Sequence, residues 1–167
     1  MDLRRLNKAD SESLFLLRLR ALESEPAAFG SSVEDEMAKG ISFFENILSM
    51  TGPDNVVFGT FVDCNLVGMA GVQRHPRLKT KHKAGIWGMY VDRNYRGKGI
   101  GAALLDLTVR HAKEEMKVEL VSLSVESSNL AAKGLYRSRL FKTWGVEPKS
   151  MMIDSQYYDE EHMLLQF

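Results

Sequence analysis

The segment Tyr95-Arg96-Gly97-Lys98-Gly99-Ile100-Gly101-Ala102-Ala103-Leu104-Leu105 constrains this chain more than any other. Three glycines are interleaved with two cations and an isoleucine, and an apolar stretch at helical spacing follows at once. Residues 86–91 before it (Ile-Trp-Gly-Met-Tyr-Val) read as a strand, so the local order is strand, glycine-rich turn, helix. Glycines at such a turn allow positive φ and let a ligand approach without Cβ interference. The first N–H groups of the helix then point into free space, which favours an anion. Arg96 and Lys98 would add charged donors at the same place. Physical chemistry therefore points to a phosphate or pyrophosphate cradle.

Spacing separates the kinds of phosphate loop. A Walker loop needs Gly-Lys-Ser/Thr, whereas Lys98 is followed by Gly99. The dinucleotide fingerprint G-x-G-x-x-G/A is met by Gly97, Gly99 and Ala102. That fingerprint should follow its strand directly, with an acidic residue ending the next strand about 20 positions on. Here residues 92–96 intervene, and Glu119 precedes the next apolar run instead of ending it.

Arg96-x-x-Gly99-x-Gly101 resembles the acetyl-CoA loop of the GNAT superfamily of N-acetyltransferases, whose pattern is Gln/Arg-x-x-Gly-x-Gly/Ala. Val91 and Asp92 stand where that family ends its fourth strand. Downstream, Asn129, Ala132, Leu135 and Tyr136 resemble the Asn-x-x-Ala-x-x-Leu-Tyr segment, and Leu140-Phe141 takes the place of Gly-Phe. The resemblance covers the whole chain and is densest over residues 84–147.

At 167 residues the chain suits one domain, residues 1–167, with a single substantial core. Twenty-two basic and 22 acidic side chains cancel, so nothing suggests a nucleic-acid partner. A lone Cys64 gives no disulfide framework and fits a reducing cytoplasm. No 18-residue apolar run is present to span a membrane, and residues 1–6 lack the apolar core of a signal peptide.

Periodicity supplies the elements. Residues 1–6 read as a short strand. Asp10 reads as the N-cap of a helix to Glu23, with Leu14, Leu17, Ala21 and Leu22 on its apolar face and Arg18 and Arg20 off it. Ser31-Ser32 opens a second helical stretch carrying Met37, Ile41, Phe44, Ile47 and Leu48. Residues 51–54 form a turn, and residues 56–62 and 66–73 a hairpin around Asp63 and Asn65. Residues 74–83 read as a loop. Then come strand 84–91, helix 99–116, strand 120–125, helix 129–139, and strands 141–146 and 162–167. Early antiparallel strands followed by a β-α-β unit predict a mixed α/β, or α+β, domain. The resemblance implies the same architecture: a mainly antiparallel sheet, helices on both faces, and parallel fourth and fifth strands that splay apart.

The resemblance also implies an enzyme that transfers the acetyl group of acetyl-CoA to a primary amine, directly and within a ternary complex. No metal takes part. Residues 96–102 (Arg96, Gly97, Lys98, Gly99, Ile100, Gly101, Ala102) would hold the pyrophosphate. The backbone of Met89, Tyr90 and Val91 would pair with pantetheine, the Met89 N–H would polarise the thioester carbonyl, and Tyr136 would face the sulfur. Asn129 would cap its helix and touch the CoA arm. A homodimer is common in the family and is allowed here.

An amine with pKa near 10.4 is neutral in only about one molecule in a few thousand at pH 7, so a base or a desolvating pocket is required. Many relatives place a glutamate in the fourth strand, but residues 84–91 hold no carboxylate. Glu126, Glu34, Asp35, Glu36, His75 and His82 are the substitutes, and the sequence selects none. Trp144, Tyr157 and Tyr158 would either line an acceptor pocket or cover the sheet. Acidic clusters at residues 34–36 and 159–161 would attract a cationic acceptor, either a small molecule or a peptide. Two rivals remain at this level: a non-catalytic acyl-CoA sensor, and a Rossmann-type nucleotide enzyme.

Overall fold

The computed structural model describes all 167 residues, Met1–Phe167. Seven strands form one sheet: β1 (Asp2–Arg5), β2 (Asn55–Val62), β3 (Asn65–Arg74), β4 (Lys83–Val91), β5 (Leu120–Glu126), β6 (Lys142–Ile153) and β7 (Gln156–Gln166). Their spatial order is β1-β2-β3-β4-β5-β7-β6. All neighbours pair antiparallel except β4 and β5, which run parallel. Helices α1 (Ser11–Ser24) and α2 (Val33–Leu48) cover one face, and α3 (Ile100–Glu114) and α4 (Leu130–Ser138) the other. The mixed, mainly antiparallel architecture is the one expected.

Two apolar clusters sit back to back across the sheet. Leu14, Leu17, Phe44 and Met69 belong to the first, and Val72, Leu104, Leu105, Val121 and Met163 to the second. Strands β2 and β3 are buried on both faces, and they read as nearly continuous apolar runs for that reason. Their hairpin turns on Asp63 and Cys64, both at positive φ, which is the twist a two-residue hairpin turn requires. Cys64 is exposed there.

Several expectations are corrected by tertiary contacts. The Asp10 side chain caps nothing in α1; it accepts two bonds of 2.8 Å from Arg4 and one of 2.9 Å from the Asn7 N–H. Arg18 is buried, not surface-facing, and meets Glu36 of α2 at 3.2 Å. Gly40 breaks the helical path of α2 at φ 66°, so Met37 and Ile41 lie on the surface while Phe44 and Leu48 are buried. The last two strands are far longer than their apolar cores. β6 is an edge strand whose polar residues contribute backbone pairing that hydropathy does not reveal. No helix is long and apolar enough to cross a membrane.

Candidate active site

Register between β4 and β5 is maintained only from Lys83↔Leu120 to Gly85↔Ser122. Beyond that point the two strands separate, and the β4 edge facing β5 has no strand partner. A bulge helps turn β4 away. Met69 pairs with Tyr90 and Gly71 with Trp87, so Ala70 alone stands opposite Gly88 and Met89. Gly88 takes φ 64°, which a Cβ would disfavour. An isolated glycine inside a strand pattern is the usual sign of such a bulge, and it was available in the sequence.

The separation opens a cleft of about 630 Å³. Met89, Tyr90 and Val91 form one wall, and Glu126, Ser128, Asn129, Ala132, Leu135 and Tyr136 the other. Arg96, Gly97, Gly99, Ile100, Gly101 and Ala102 lie at its end, while Lys98 does not line it. Residues 25–29, just after α1, line it too.

The glycine loop becomes a helix N-terminus without a side-chain cap. Gly99 is the N-cap at φ 78°, Gly97 has φ 74°, and a Cβ on either would meet open space. At Gly101 a Cβ would make ordinary contacts, 3.5 Å from Leu135 and 3.7 Å from Val91. The first helical bond of α3 runs from the Ala103 N–H to the Gly99 carbonyl at 3.0 Å. The N–H groups of Ile100, Gly101 and Ala102 before it have no acceptor in the helix. They form a positive-dipole end that opens on the cleft.

The two cations of the loop point elsewhere. The Arg96 Nε donates to the Val91 carbonyl at 2.9 Å, its guanidinium lies 5.7 Å from the Tyr90 ring, and Nη1 is 2.9 Å from Glu25. Lys98 lies over Tyr95 and donates to the Asn94 carbonyl at 3.4 Å. The Arg96 charge is therefore already paired with Glu25, the exposed Lys98 ammonium lies over Tyr95, and the backbone N–H groups are the donors that open on the cleft.

Asn129 accepts from the Ala132 N–H at 3.1 Å, capping α4 at the cleft wall. About two turns later Tyr136 is 6 % exposed and 6.0 Å from the Phe141 ring, and its hydroxyl makes no hydrogen bond within the protein. Burial pushes its phenol up to about 12. The group is a donor at every physiological pH. An unfolded tyrosine loses its proton near 10, so stability held by the protonated Tyr136 is fully present below that pH and is lost as pH rises toward 12. At about 1.4 kcal/mol per unit this amounts to about 2–3 kcal/mol. Urea unfolding at pH 9 and pH 11.5 is expected to show a smaller alkaline loss in Tyr136→Phe than in the parent.

Of the candidate bases, Glu126 alone lines the cleft. Its carboxylate accepts from the Ser128 N–H at 2.9 Å and the Ser128 hydroxyl at 2.7 Å. Glu36 is buried against Arg18, and Glu34 and Asp35 sit in the first turn of α2. His75, His82, Trp144 and Tyr157 do not line the cleft. Trp144 stacks on His162 at 5.5 Å on the exposed side of β6, which places it on the sheet cover. Tyr157 and Tyr158 lie in a shallow groove that meets the cleft at Glu126 and Ser128. Glu25 also lines the cleft. Burial raises its pKa, but hydrogen bonds from Arg93 and Arg96 outweigh that and hold the carboxyl below its usual range.

Residues 16–140 match the acetyltransferase (GNAT) family model. A spermine/spermidine N(1)-acetyltransferase of Bacillus subtilis (strain 168) is 30% identical over 82 residues, 47% of this chain and 54% of that protein. The chain spans about half the length of this relative and of a probable spermine N(1)-acetyltransferase from another Bacillus subtilis strain. An N-alpha-acetyltransferase of Saccharolobus solfataricus is 29% identical over 148 residues, 89% of this chain and 80% of its own. Among solved structures, yncA of Salmonella typhimurium with its cofactor acetyl-CoA superposes with a TM-score of 0.84 at 21% identity, over 99% of this chain and 93% of that one. A splayed parallel strand pair, an uncapped glycine helix start and a family match over three quarters of the residues agree: this chain belongs to the acetyltransferase (GNAT) family.

Proposed function

We propose that the protein is an acetyl-CoA-dependent N-acetyltransferase that acts on a primary amine by direct transfer within a ternary complex. The observation that carries this reading is the uncapped N-terminus of α3. It presents the free N–H groups of Ile100, Gly101 and Ala102 at one end of a cleft whose other wall holds an unpartnered tyrosine hydroxyl. A pyrophosphate fits the first feature, because N–H donors and the helix dipole both favour an anion. An extended amide-bearing arm fits the unpaired β4 edge at Met89, Tyr90 and Val91, as an added strand would.

Bound acetyl-CoA supplies the activated acetyl group. The Met89 N–H polarises the thioester carbonyl in this reading, which is supported by Met89 lining the cleft beside the bulge. The amine nitrogen bonds the carbonyl carbon, the carbon–sulfur bond breaks, CoA leaves as the thiolate, and the proton that the nitrogen sheds passes to solvent and then to the sulfur. Tyr136 stabilises that thiolate by hydrogen bonding. With its pKa near 12 it does so as a donor, without giving up its proton in the slow step. Glu126 is the carboxylate available to hold an acceptor ammonium and take its proton, directly or through water. Glu25 is poorly suited to that role, since Arg93 and Arg96 already stabilise its charge.

A donor bond to a charged atom contributes about 1.5–3 kcal/mol, so Tyr136→Phe is expected to lower kcat about 10- to 100-fold. CoA affinity measured by calorimetry should change by less than about threefold, because this bond forms only as charge develops. An equal loss in kcat and in affinity would make Tyr136 a structural residue.

The deciding experiment is thiol release from acetyl-CoA against spermine, spermidine, aminoglycosides and short peptides with free N-termini, with CoA thermal shift alongside. The panel follows the two acceptor types of the relatives, a polyamine and an N-terminal amine. Turnover establishes the transferase and its acceptor together. Stabilisation by CoA with no turnover favours a sensor, and no stabilisation refutes the loop assignment.

A further inference from the structure

Arg96 belongs to two parts of the molecule. Its main chain opens the glycine loop, but its guanidinium turns away from the loop and reaches the carboxylate of Glu25 at 2.9 Å. Arg93, one turn earlier, places Nε 3.0 Å from the same Oε1 atom and also donates to the Ser24 carbonyl. Glu25 begins the segment 25–29, which packs against β5 and β6 on the far side of the opened strand pair. One carboxylate therefore ties together the two cleft walls that β4 and β5 no longer join by a ladder.

Nothing local requires a carboxylate at this position. Helix α1 stops because Pro26 follows, and the Glu25 N–H closes the last turn on Ala21 at 2.9 Å without its side chain. The Glu25 carboxylate has no polar partners other than the two arginines. Other links join the end of α1 to β4 and the turn after it: Arg20 to Asp92 at 3.0 Å, Arg93 to the Ser24 carbonyl, the Ser24 and Tyr90 hydroxyls at 3.0 Å, and the Phe29 and Tyr90 rings at 6.4 Å; none of these reaches the glycine loop.

We propose that Glu25 is a positioning residue: through Arg96 it couples ordering of the glycine loop by bound cosubstrate to the position of the wall 26–29 that lines the same cleft. The proposal rests on the reading that the loop binds CoA. Coupling of this kind is reciprocal, so an ordered wall also favours an ordered loop. Arg96 is the required arm, because Arg93 lies outside the loop.

Hydrogen exchange read by mass spectrometry, with and without CoA, tests it in the parent, in Glu25→Gln and in Arg93→Gln. In the parent, CoA is expected to slow exchange by about threefold or more in residues 97–102 and also in residues 27–29. In Glu25→Gln the loop should still slow on CoA addition while the slowing of residues 27–29 disappears. Arg93→Gln should keep both responses. Unchanged exchange in β2 and β3 verifies that each variant is folded. Equal slowing of residues 27–29 in the parent and Glu25→Gln overturns the coupling and leaves the loop reading intact. Absence of slowing in the loop of the parent overturns both.

Discussion

Replacing Gly99 by Glu is expected to weaken CoA binding more than about 100-fold, or about 2.7 kcal/mol, with the fold retained. The direction follows from where the side chain would go. A Cβ on Gly99 meets nothing within 4 Å, so the new carboxylate enters the cleft mouth beside the N–H groups of Ile100, Gly101 and Ala102. It would serve as an internal anion in the place of the pyrophosphate, and the helix dipole would hold it there. The backbone at φ 78° costs a non-glycine residue about 1–2 kcal/mol, partly offset by up to about 1 kcal/mol of charge–dipole attraction. The variant should therefore melt only slightly below the parent. Gly99→Ala separates the two effects, since it carries the backbone strain without the charge and should lose less than about tenfold in affinity. Calorimetric titration of CoA into both variants is the measurement. Equal losses would place the effect in loop strain and remove the case for an anion site.

The largest stability effect is expected at Glu36. Arg18 and Glu36 meet at 3.2 and 3.3 Å with side chains only 9 % and 4 % exposed, between α1 and α2. The pair is half satisfied, because Arg18 Nη1 and Glu36 Oε2 are buried without partners. Burial lowers the Arg18 pKa, and the Glu36 charge opposes that shift. Glu36→Gln removes the countercharge and leaves the buried guanidinium a neutral amide oxygen and the Phe29 ring at 4.6 Å. Removing one member of a buried pair typically costs about 3–5 kcal/mol. Replacing both, as in Arg18→Leu/Glu36→Leu, removes the desolvated charges together and is expected to fall within about 1 kcal/mol of the parent or above it. Urea unfolding of the single and double variants tests both statements. A single variant as stable as the parent would mean that water reaches the pair.

The glycine loop, the strand before it and the helix after it were legible in the sequence because their causes are local. Positive φ at Gly97 and Gly99, the absent side-chain cap and the apolar period of α3 all lie within a few residues of one another. Asn129 and Tyr136 were legible for the same reason: one helix start and two turns fix them on the cleft wall. Met37 and Ile41 show where period misleads, since Gly40 interrupts the helix that would have buried them. The charged donors Arg96 and Lys98 were placed correctly along the chain but not in direction. A long side chain takes its direction from its partner, and Glu25 lies 68 positions before Arg93 in the same cluster.

The sequence alone determined a strand, an anion-binding turn and a helix, the mixed sheet around them, and the residues nearest the turn. It did so because conformational preference and hydrophobic period act over short stretches of chain. Only the tertiary structure decided that β4 and β5 part after three paired residues, that residues 25–29 close the cleft, that Glu25 and Glu126 are the carboxylates lining it, and that Arg18 is buried. Each of these depends on which distant segments meet across the sheet, and neither composition nor periodicity encodes the identity of a long-range partner.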